Sequence, residues 1–496
     1  MHITYLSVLV ALLGPSEAFF RMSCPGRLVR ERLDPIINPG GVASHVHTIS
    51  GGVAFAPTMT YQDMQAAKCS TCTIKEDMSN YWTPQLYVKF KNGTFMPVPT
   101  VGDPEDMHGG MTVYYLQRRG DDSNEKLHAF PEGFRMIAGD TFARSFGNDS
   151  AAKAISFACL GGPNLPETNN MPDFNCPGGL RAQVFFPACW NGKDIDTPDH
   201  KSHMSYPVGQ EYNNGACPPE YPVHMISIFY EVLYDTAPFL EHWNGDQHPF
   251  VFANGDATGF GYHGDFVNGW DVSVLQNAVD TCTDDSGQVE RCSAVTQFTP
   301  DECAACRLPE AVNEVNDGHL DKLPGCNPVT YGPDRAAPTQ CNDGVSLGVR
   351  KVDYVDVTQT KGWAYVGCGK DNIGDRAFTG VSFSRPNTTV EDCIDFCTAS
   401  GFSYAGLEYK SECFCANELN AKYAPRDGIM GACVSKCSGN ADQTCGGWAA
   451  MSVYHACPAG GSCRNNEQFG KAPEGKRSLT IDAPMQRARR HARDLV

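Results

Sequence analysis

The chain has 496 residues, a formal net charge of −18, 41% hydrophobic residues and 23 cysteines. That length supports two or three folded units, and an acidic chain without a basic patch in its folded regions argues against nucleic acid as a partner. The cysteines point to an oxidising compartment, and no apolar run beyond the leader reaches the roughly 20 residues a membrane span needs.

Residues 1–18 read as a secretory signal peptide. The apolar run Val8-Leu-Val-Ala-Leu-Leu13 precedes Gly14-Pro15 and the small-residue site Ser16-Glu-Ala18. The end of the chain lacks a lipid-anchor signal, so a released protein is expected, extracellular or associated with a cell wall. Sequons at Asn92, Asn148 and Asn387 suit glycosylation there. The odd cysteine count leaves one thiol without an intramolecular partner, expected at Cys24 near the mature end.

Residues 34–281 are rich in Gly, Pro, Asn and aromatics. Their β-like runs Leu86-Tyr-Val-Lys-Phe90, Met111-Thr-Val-Tyr-Tyr-Leu116, Ala182-Gln-Val-Phe-Phe186 and His224-Met-Ile-Ser-Ile-Phe-Tyr-Glu-Val-Leu233 are separated by turn residues. The pattern predicts a mainly β domain, an antiparallel β-sandwich or jelly roll with long loops. A helix over 271–279 leads into Cys282. Residues 282–345 then carry six cysteines with little hydrophobic periodicity, as expected of a cysteine-rich extension clamped onto the sandwich. Residues 464–496 hold Lys476-Arg477 and Arg489-Arg490 and almost nothing to bury, which predicts a disordered basic tail open to dibasic processing.

The large domain concentrates histidine. Ser44-His45-Val-His47-Thr-Ile-Ser-Gly51-Gly52 sets two imidazoles at i, i+2, on one face if extended. His200-Lys-Ser-His203, Asn254-Gly-Asp256 and His263-Gly-Asp265-Phe266-Val-Asn268-Gly-Trp270 follow. Imidazole is the usual proton carrier at neutral pH and the commonest metal ligand. His45, His47, His200, His203 and His263, with Asp256 and Asp265, are therefore the candidate catalytic residues, expected around one cleft where they could hold a divalent metal ion. The alternative is that each histidine is satisfied by its own loop.

Further motifs are Asp77-Met-Ser-Asn80-Tyr81-Trp82-Thr-Pro84, Phe134-Arg135-Met136 and Phe186-Pro-Ala-Cys189-Trp190-Asn-Gly192. In this order, with the histidine motifs, the region resembles the fungal secreted domain of unknown function numbered 1996. Asn191 stands where that family is expected to favour aspartate, and the resemblance itself implies no activity.

Chemistry removes several classes. A copper monooxygenase of the histidine-brace type needs an amino-terminal histidine, whereas cleavage after Ala18 leaves Phe19 first. Cys69-Ser-Thr-Cys72 and Cys303-Ala-Ala-Cys306 look like redox or zinc pairs, but in so cysteine-rich a secreted chain they read as structural disulfides. No Gly-x-Ser-x-Gly elbow or phosphate loop is present. A glycoside hydrolase would need opposed carboxylates from among Asp77, Glu231, Asp256 and Asp265. A lyase could use His200 or His203 with Tyr81 and Arg135. Neither outranks the other.

Residues 362–457 place Cys368, Cys393, Cys397, Cys413, Cys415, Cys433, Cys437 and Cys445 in a module too small to stand on hydrophobic burial alone. Thr389-Val-Glu-Asp392 is a capping box opening a helix with Cys393 and Cys397 on one face, and Cys413 and Cys415 share one face of a strand. With Trp363-Ala-Tyr365-Val-Gly367-Cys368, Tyr404-Ala-Gly406-Leu-Glu-Tyr409, Cys413-Phe-Cys415 and Cys445-Gly-Gly-Trp448, the segment resembles the WSC domain. That resemblance implies a small disulfide-rich α+β carbohydrate-binding module of fungal wall proteins. Trp363, Tyr365, Tyr404, Tyr409 and Trp448 are the candidate sugar-stacking rings, some of which must serve as core instead.

The expectation is a secreted, wall-associated protein that binds polysaccharide of glucan, chitin or xylan type. Its large domain is either an enzyme on that polymer, a hydrolase or a lyase, or a second non-catalytic binding part.

Overall fold

A computed structural model describes residues 18–101, 110–161, 166–245, 247–308, 310–339, 341–348, 354–372, 374–425, 433, 435–447, 449–458 and 463–466. Residues 1–17, where a signal peptide is expected, Trp448 and residues 467–496, within the expected tail, lie outside them. The chain divides into two units, 1–348 and 349–496.

The first unit is a sandwich of two five-stranded antiparallel sheets. In chain order the strands of these two sheets are β1 (Phe19–Cys24), β2 (Val29–Glu31), β3 (His47–Gly51), β4 (Asn80–Pro84), β5 (Met111–Leu116), β6 (Arg135–Gly139), β7 (Ile155–Cys159), β8 (Leu180–Phe185), β9 (Ser227–Tyr234) and β10 (His263–Val267). One sheet runs β1-β5-β9-β8-β7 and the other β2-β3-β4-β10-β6. Helix α1 (Val272–Thr281) follows β10, capped by Asp271, whose side chain accepts from the Ser273 and Val274 N–H groups.

Alternation explains the layers. Phe20, Met22, Val113, Tyr115, Ile228, Tyr230, Ala182 and Val184 face inward from the first sheet, meeting Tyr81, Phe266, Met136 and Ala138 of the second. The opposite face of the second sheet carries Ile49, Trp82, Ile137 and Val267. Those residues pack under Leu28, Leu33, Ile36, Phe55 and Met59, so this sheet is covered on both sides.

The motif around Asp77 belongs to the core. Tyr81 donates its hydroxyl hydrogen to Asp77 and lies 2.9 Å from the Tyr115 hydroxyl, which accepts from Trp270 Nε1 at 2.8 Å. Most buried polar groups in folded proteins are satisfied in this way.

The cysteine-rich extension is tied to the sandwich. Cys306 bonds Cys69, Glu31 accepts from the Ala311 and Val312 N–H groups, and Arg32 pairs with Glu314 and Asp343 at 2.6 and 2.9 Å. Two expectations are corrected. Cys24 is not the unpaired thiol, because it bonds Cys72, and neither Cys-x-x-Cys segment closes on itself. The free cysteine is Cys303, buried in a short helix, and its neighbour Cys306 is bonded to Cys69.

The second unit has the sheet order β11-β15-β13-β14-β12, with strands β11 (Trp363–Lys370), β12 (Ser382–Ser384), β13 (Tyr404–Glu408), β14 (Glu412–Ala416) and β15 (Ala450–Ala456). Helix α2 (Val390–Ala399) starts at a capping box of Thr389 and Asp392 and buries Val390, Cys393, Ile394 and Cys397. Disulfides link Cys393 to Cys413, Cys397 to Cys415, Cys368 to Cys433 and Cys437 to Cys445. The i, i+4 pair on the helix thus meets the i, i+2 pair on β14.

Candidate functional site

The second sheet of the sandwich sets out the histidines. β3 pairs His47 with Pro84, and β10 pairs Asp265 with Trp82. Two residues back along β10, His263 comes level with Pro84 on its other side, so both rings leave the same face. His45 lies two residues before His47. The ring centroids of His45–His47, His45–His263 and His47–His263 are 4.3, 5.0 and 5.8 Å apart.

All three rings are buried, His47 completely. His45 Nε2 and His263 Nε2 stand 3.1 Å apart. His47 Nδ1 bonds the Leu33 carbonyl at 3.2 Å, and His263 Nδ1 bonds the Gly261 carbonyl at 3.0 Å. His45 Nδ1 meets Ser44 Oγ at 2.9 Å. Among the described residues, His47 Nε2 has no hydrogen-bond partner. Burial holds the rings neutral. It lowers His45 well below the usual 6.5, with charge on His47 and His263 adding to the drop, and takes His47 and His263 to about 3.

Carboxylates flank this group. Asp34 accepts from the Ile36 and Ile37 N–H groups, both at 3.0 Å, and lies within electrostatic range of His263 and His200. Asp265 shares the His263 face, and its Oδ2 is buried without a partner among the described residues. Burial first, and Asp34 second, push the Asp265 carboxyl well above its usual range.

The other expected members take different places. Asp256 organises a loop. It accepts from Thr258 N and Gly261 N at 2.8 and 2.7 Å and faces Arg144 Nε at 3.6 Å, thereby setting the carbonyl that receives His263. His203 is engaged by the Arg135 carbonyl at 2.9 Å and Thr197 Oγ1 at 3.0 Å, packed on Phe134. His200 bonds Asp196 at 2.7 Å. The convergence therefore comprises His45, His47 and His263, without the 200–203 pair. Asp34, Arg144 and Lys201 are neighbours the histidine pattern did not single out. Only Lys201, enclosed in the His200–His203 motif, carried any signal in the sequence.

A cleft of about 490 Å³ adjoins the group, lined by Gly139, Asp140, Arg144, Lys201, Tyr206 and Arg335 among others. Gly139 is the direct cross-strand partner of His263. Lys201 donates to the Gly139 carbonyl, and Arg335 Nη2 donates to Asp140 Oδ1 at 2.9 Å.

In the second unit the aromatic candidates separate. Trp363 and Tyr365 belong to the core with Tyr454, so they offer no ring face to a sugar. Tyr404 is half-buried, tilted against His455 at 4.2 Å. Tyr409 is 47% exposed on the turn between β13 and β14, and both it and Lys410 have positive φ, 42° and 74°. Tyr409 N donates to the Gly447 carbonyl at 3.2 Å.

Beside that turn Arg376 Nη1 bridges Asp371 and Glu408, and the Arg376 Cζ lies over the Phe414 ring, 4.7 Å from its centroid. Burial pushes Glu408 up to about 9, with Asp371 adding by hydrogen bond and charge against the pull of Arg376. In the folded unit Glu408 therefore keeps a proton that the unfolded chain releases above about 4.5. Its contribution is full below that pH and is lost as pH rises towards about 9. Calorimetry of the whole chain between pH 5 and 9 is expected to show the second unit's melting temperature falling with pH, and Glu408→Gln is expected to flatten the fall. An equally steep fall in the variant would assign the effect elsewhere.

Residues 34–270 match the family model described as "Domain of unknown function (DUF1996)", and residues 365–447 match the "WSC domain" model. Among curated proteins, a WSC domain-containing protein of Arthroderma benhamiae is 38% identical over 95 residues, 18% of this chain and 10% of that protein. Xylosyltransferase oxt of Drosophila melanogaster is 37% identical over 90 residues, again 18% and 10%. Kremen protein 2 of Homo sapiens is 32% identical over 125 residues, 25% of each chain. The matched segment thus spans a quarter or less of each relative's length.

Proposed function

We propose that this chain, which joins a DUF1996 domain to a WSC domain, is an extracellular protein that binds neutral wall polysaccharide of glucan, chitin or xylan type. The observation that carries this reading is the turn bearing Tyr409. It presents an exposed ring from consecutive left-handed, non-glycine residues. Such backbone costs on the order of 1–3 kcal/mol per residue and concentrates at sites of function. An aromatic face so presented stacks on the apolar face of a sugar ring. The net charge of −18 favours a neutral polymer over an acidic one. The disulfides and the lack, among the described residues, of a helix long and apolar enough to cross a membrane fit this setting.

Pull-down of the whole chain on insoluble β-glucan, chitin and xylan is expected to retain it on at least one. Tyr409→Ala is expected to weaken that retention about tenfold, the equivalent of ~1.4 kcal/mol. Retention on none of the three polymers, with the disulfides intact, overturns the reading.

A second reading, that the large domain acts chemically on the same polymer, is favoured by the cleft meeting Gly139 directly across from His263. The WSC unit would then raise local substrate concentration by tethering. Oligosaccharide release from the three polymers, followed by mass spectrometry, tests it. No release would leave a non-catalytic wall or matrix component.

A further inference from the structure

The geometry points to a mononuclear site for a divalent transition metal of the zinc–copper class, bound by the Nε2 atoms of His45, His47 and His263. Hydrogen-bond partners fix which ring nitrogens carry hydrogen. A backbone carbonyl only accepts, so His47 Nδ1, on the Leu33 carbonyl, and His263 Nδ1, on the Gly261 carbonyl, both carry the proton. Each of those neutral rings therefore has a lone pair on Nε2. His45 Nδ1 faces Ser44 Oγ, which can accept from it and so free the third Nε2 lone pair. In this way each ring nitrogen that is not needed as a ligand is held by an outer partner that fixes the tautomer, as in imidazole metal sites generally.

The distances suit one small ion. One ligand atom from each histidine lies within 4.8 Å of the others. Nitrogens ~2.0–2.1 Å from a tetrahedral ion stand roughly 3.3 Å apart, and His45 Nε2 and His263 Nε2 are already 3.1 Å apart. The second, independent observation is His47 Nε2, fully buried with no hydrogen-bond partner among the described residues. A buried acceptor without a partner costs ~1–3 kcal/mol, a cost that coordination removes. An all-imidazole set selects zinc or copper over magnesium or calcium. Three histidines also leave one tetrahedral position for water or another ligand. The other cysteine-containing groups of suitable spacing have their thiols in disulfides, so thiolate ligands are not on offer there. This inference does not depend on polysaccharide binding.

The test uses the full chain, stripped with a chelator and titrated with Zn²⁺ or Cu²⁺. Elemental analysis is expected to give one ion per chain, with a rise in melting temperature on loading. His47→Asn and His263→Asn keep a side-chain N–H near the Nδ1 position for the Leu33 and Gly261 carbonyls but remove the ligand. They are expected to weaken affinity by more than 100-fold, whereas Ser44→Ala, which removes only an outer partner, is expected to cost about 10-fold. His128→Asn, at a histidine that bridges to Met225 and lies outside the group, should leave binding unchanged. X-ray absorption of the loaded wild type, expected to show imidazole scatterers ~2.0–2.1 Å from the ion, keeps the test decisive should the asparagine variants fail to fold. No saturable uptake by wild type, unaltered uptake in both folded asparagine variants, or an absorption spectrum without imidazole would each overturn the site.

Discussion

Replacing Cys397 and Cys415 together with serine is expected to unfold the second unit well below the melting temperature of the wild type. Helix α2 rests on β14 through two disulfides, Cys393–Cys413 and Cys397–Cys415, and the core between them is small. The Cys397–Cys415 bond closes a separation of 18 residues, and a loop of that size is worth ~3 kcal/mol of restricted unfolded-state freedom. In a unit this small, that shifts a melting temperature by on the order of 10–20 °C. Calorimetry of the full chain, with proteolysis mapping the region that opens, reads the result. A wild-type transition in the variant would mean that the remaining Cys393–Cys413 bond, with Val390, Ile394 and their strand neighbours, holds the helix without the second disulfide.

Gly139→Ala is expected to be the most damaging single change at the histidine group. The residue has φ +88°, and an added Cβ would stand 2.5 Å from the Tyr262 carbonyl oxygen and 2.9 Å from His263 Cα. The left-handed backbone alone costs ~1–2 kcal/mol for a residue with a side chain, and crowding against fixed backbone adds ~1–3 kcal/mol. β10 must shift to relieve the contact, so His263 moves with it and metal uptake should fall along with stability. Gly133→Ala is the control. That glycine also has positive φ, but its Cβ would meet nothing closer than Tyr61 Cβ at 3.6 Å, so only the backbone cost should register. Equal losses in the two variants would show that the contact across β6 and β10 contributes nothing.

Alternating apolar runs and turn residues carry a mainly antiparallel β fold in the sequence alone, because a half-buried strand repeats every two residues whatever it later pairs with. The runs Met111-Thr-Val-Tyr-Tyr-Leu116 and Ile228-Phe-Tyr-Glu-Val232 are neighbours in one sheet of the sandwich. Local spacing also carries the second unit. The capping box at Thr389 and the paired cysteines at 393 and 397 fall on one helix face from geometry within a single turn. The order of motifs identifies the DUF1996 and WSC segments for the same reason, since it is a property of the chain and not of its folding.

Tertiary structure decided what local spacing leaves open. His45 and His47 announce a shared face, but only the pairing of β3, β4 and β10 brings His263 to them from more than 200 residues away, while leaving His203 on the Arg135 carbonyl and Asp256 on its own loop. Trp363 and Tyr409 look equally available as written, and burial alone separates the core ring from the exposed one. The same holds for the unpaired thiol. Cys24 and Cys303 are equivalent in a list of cysteines, but the fold bonds Cys24 to Cys72 and takes Cys306, three residues from Cys303, to Cys69, which leaves Cys303 free. Long-range distance is set by strand order and register, which no stretch of the chain encodes by itself.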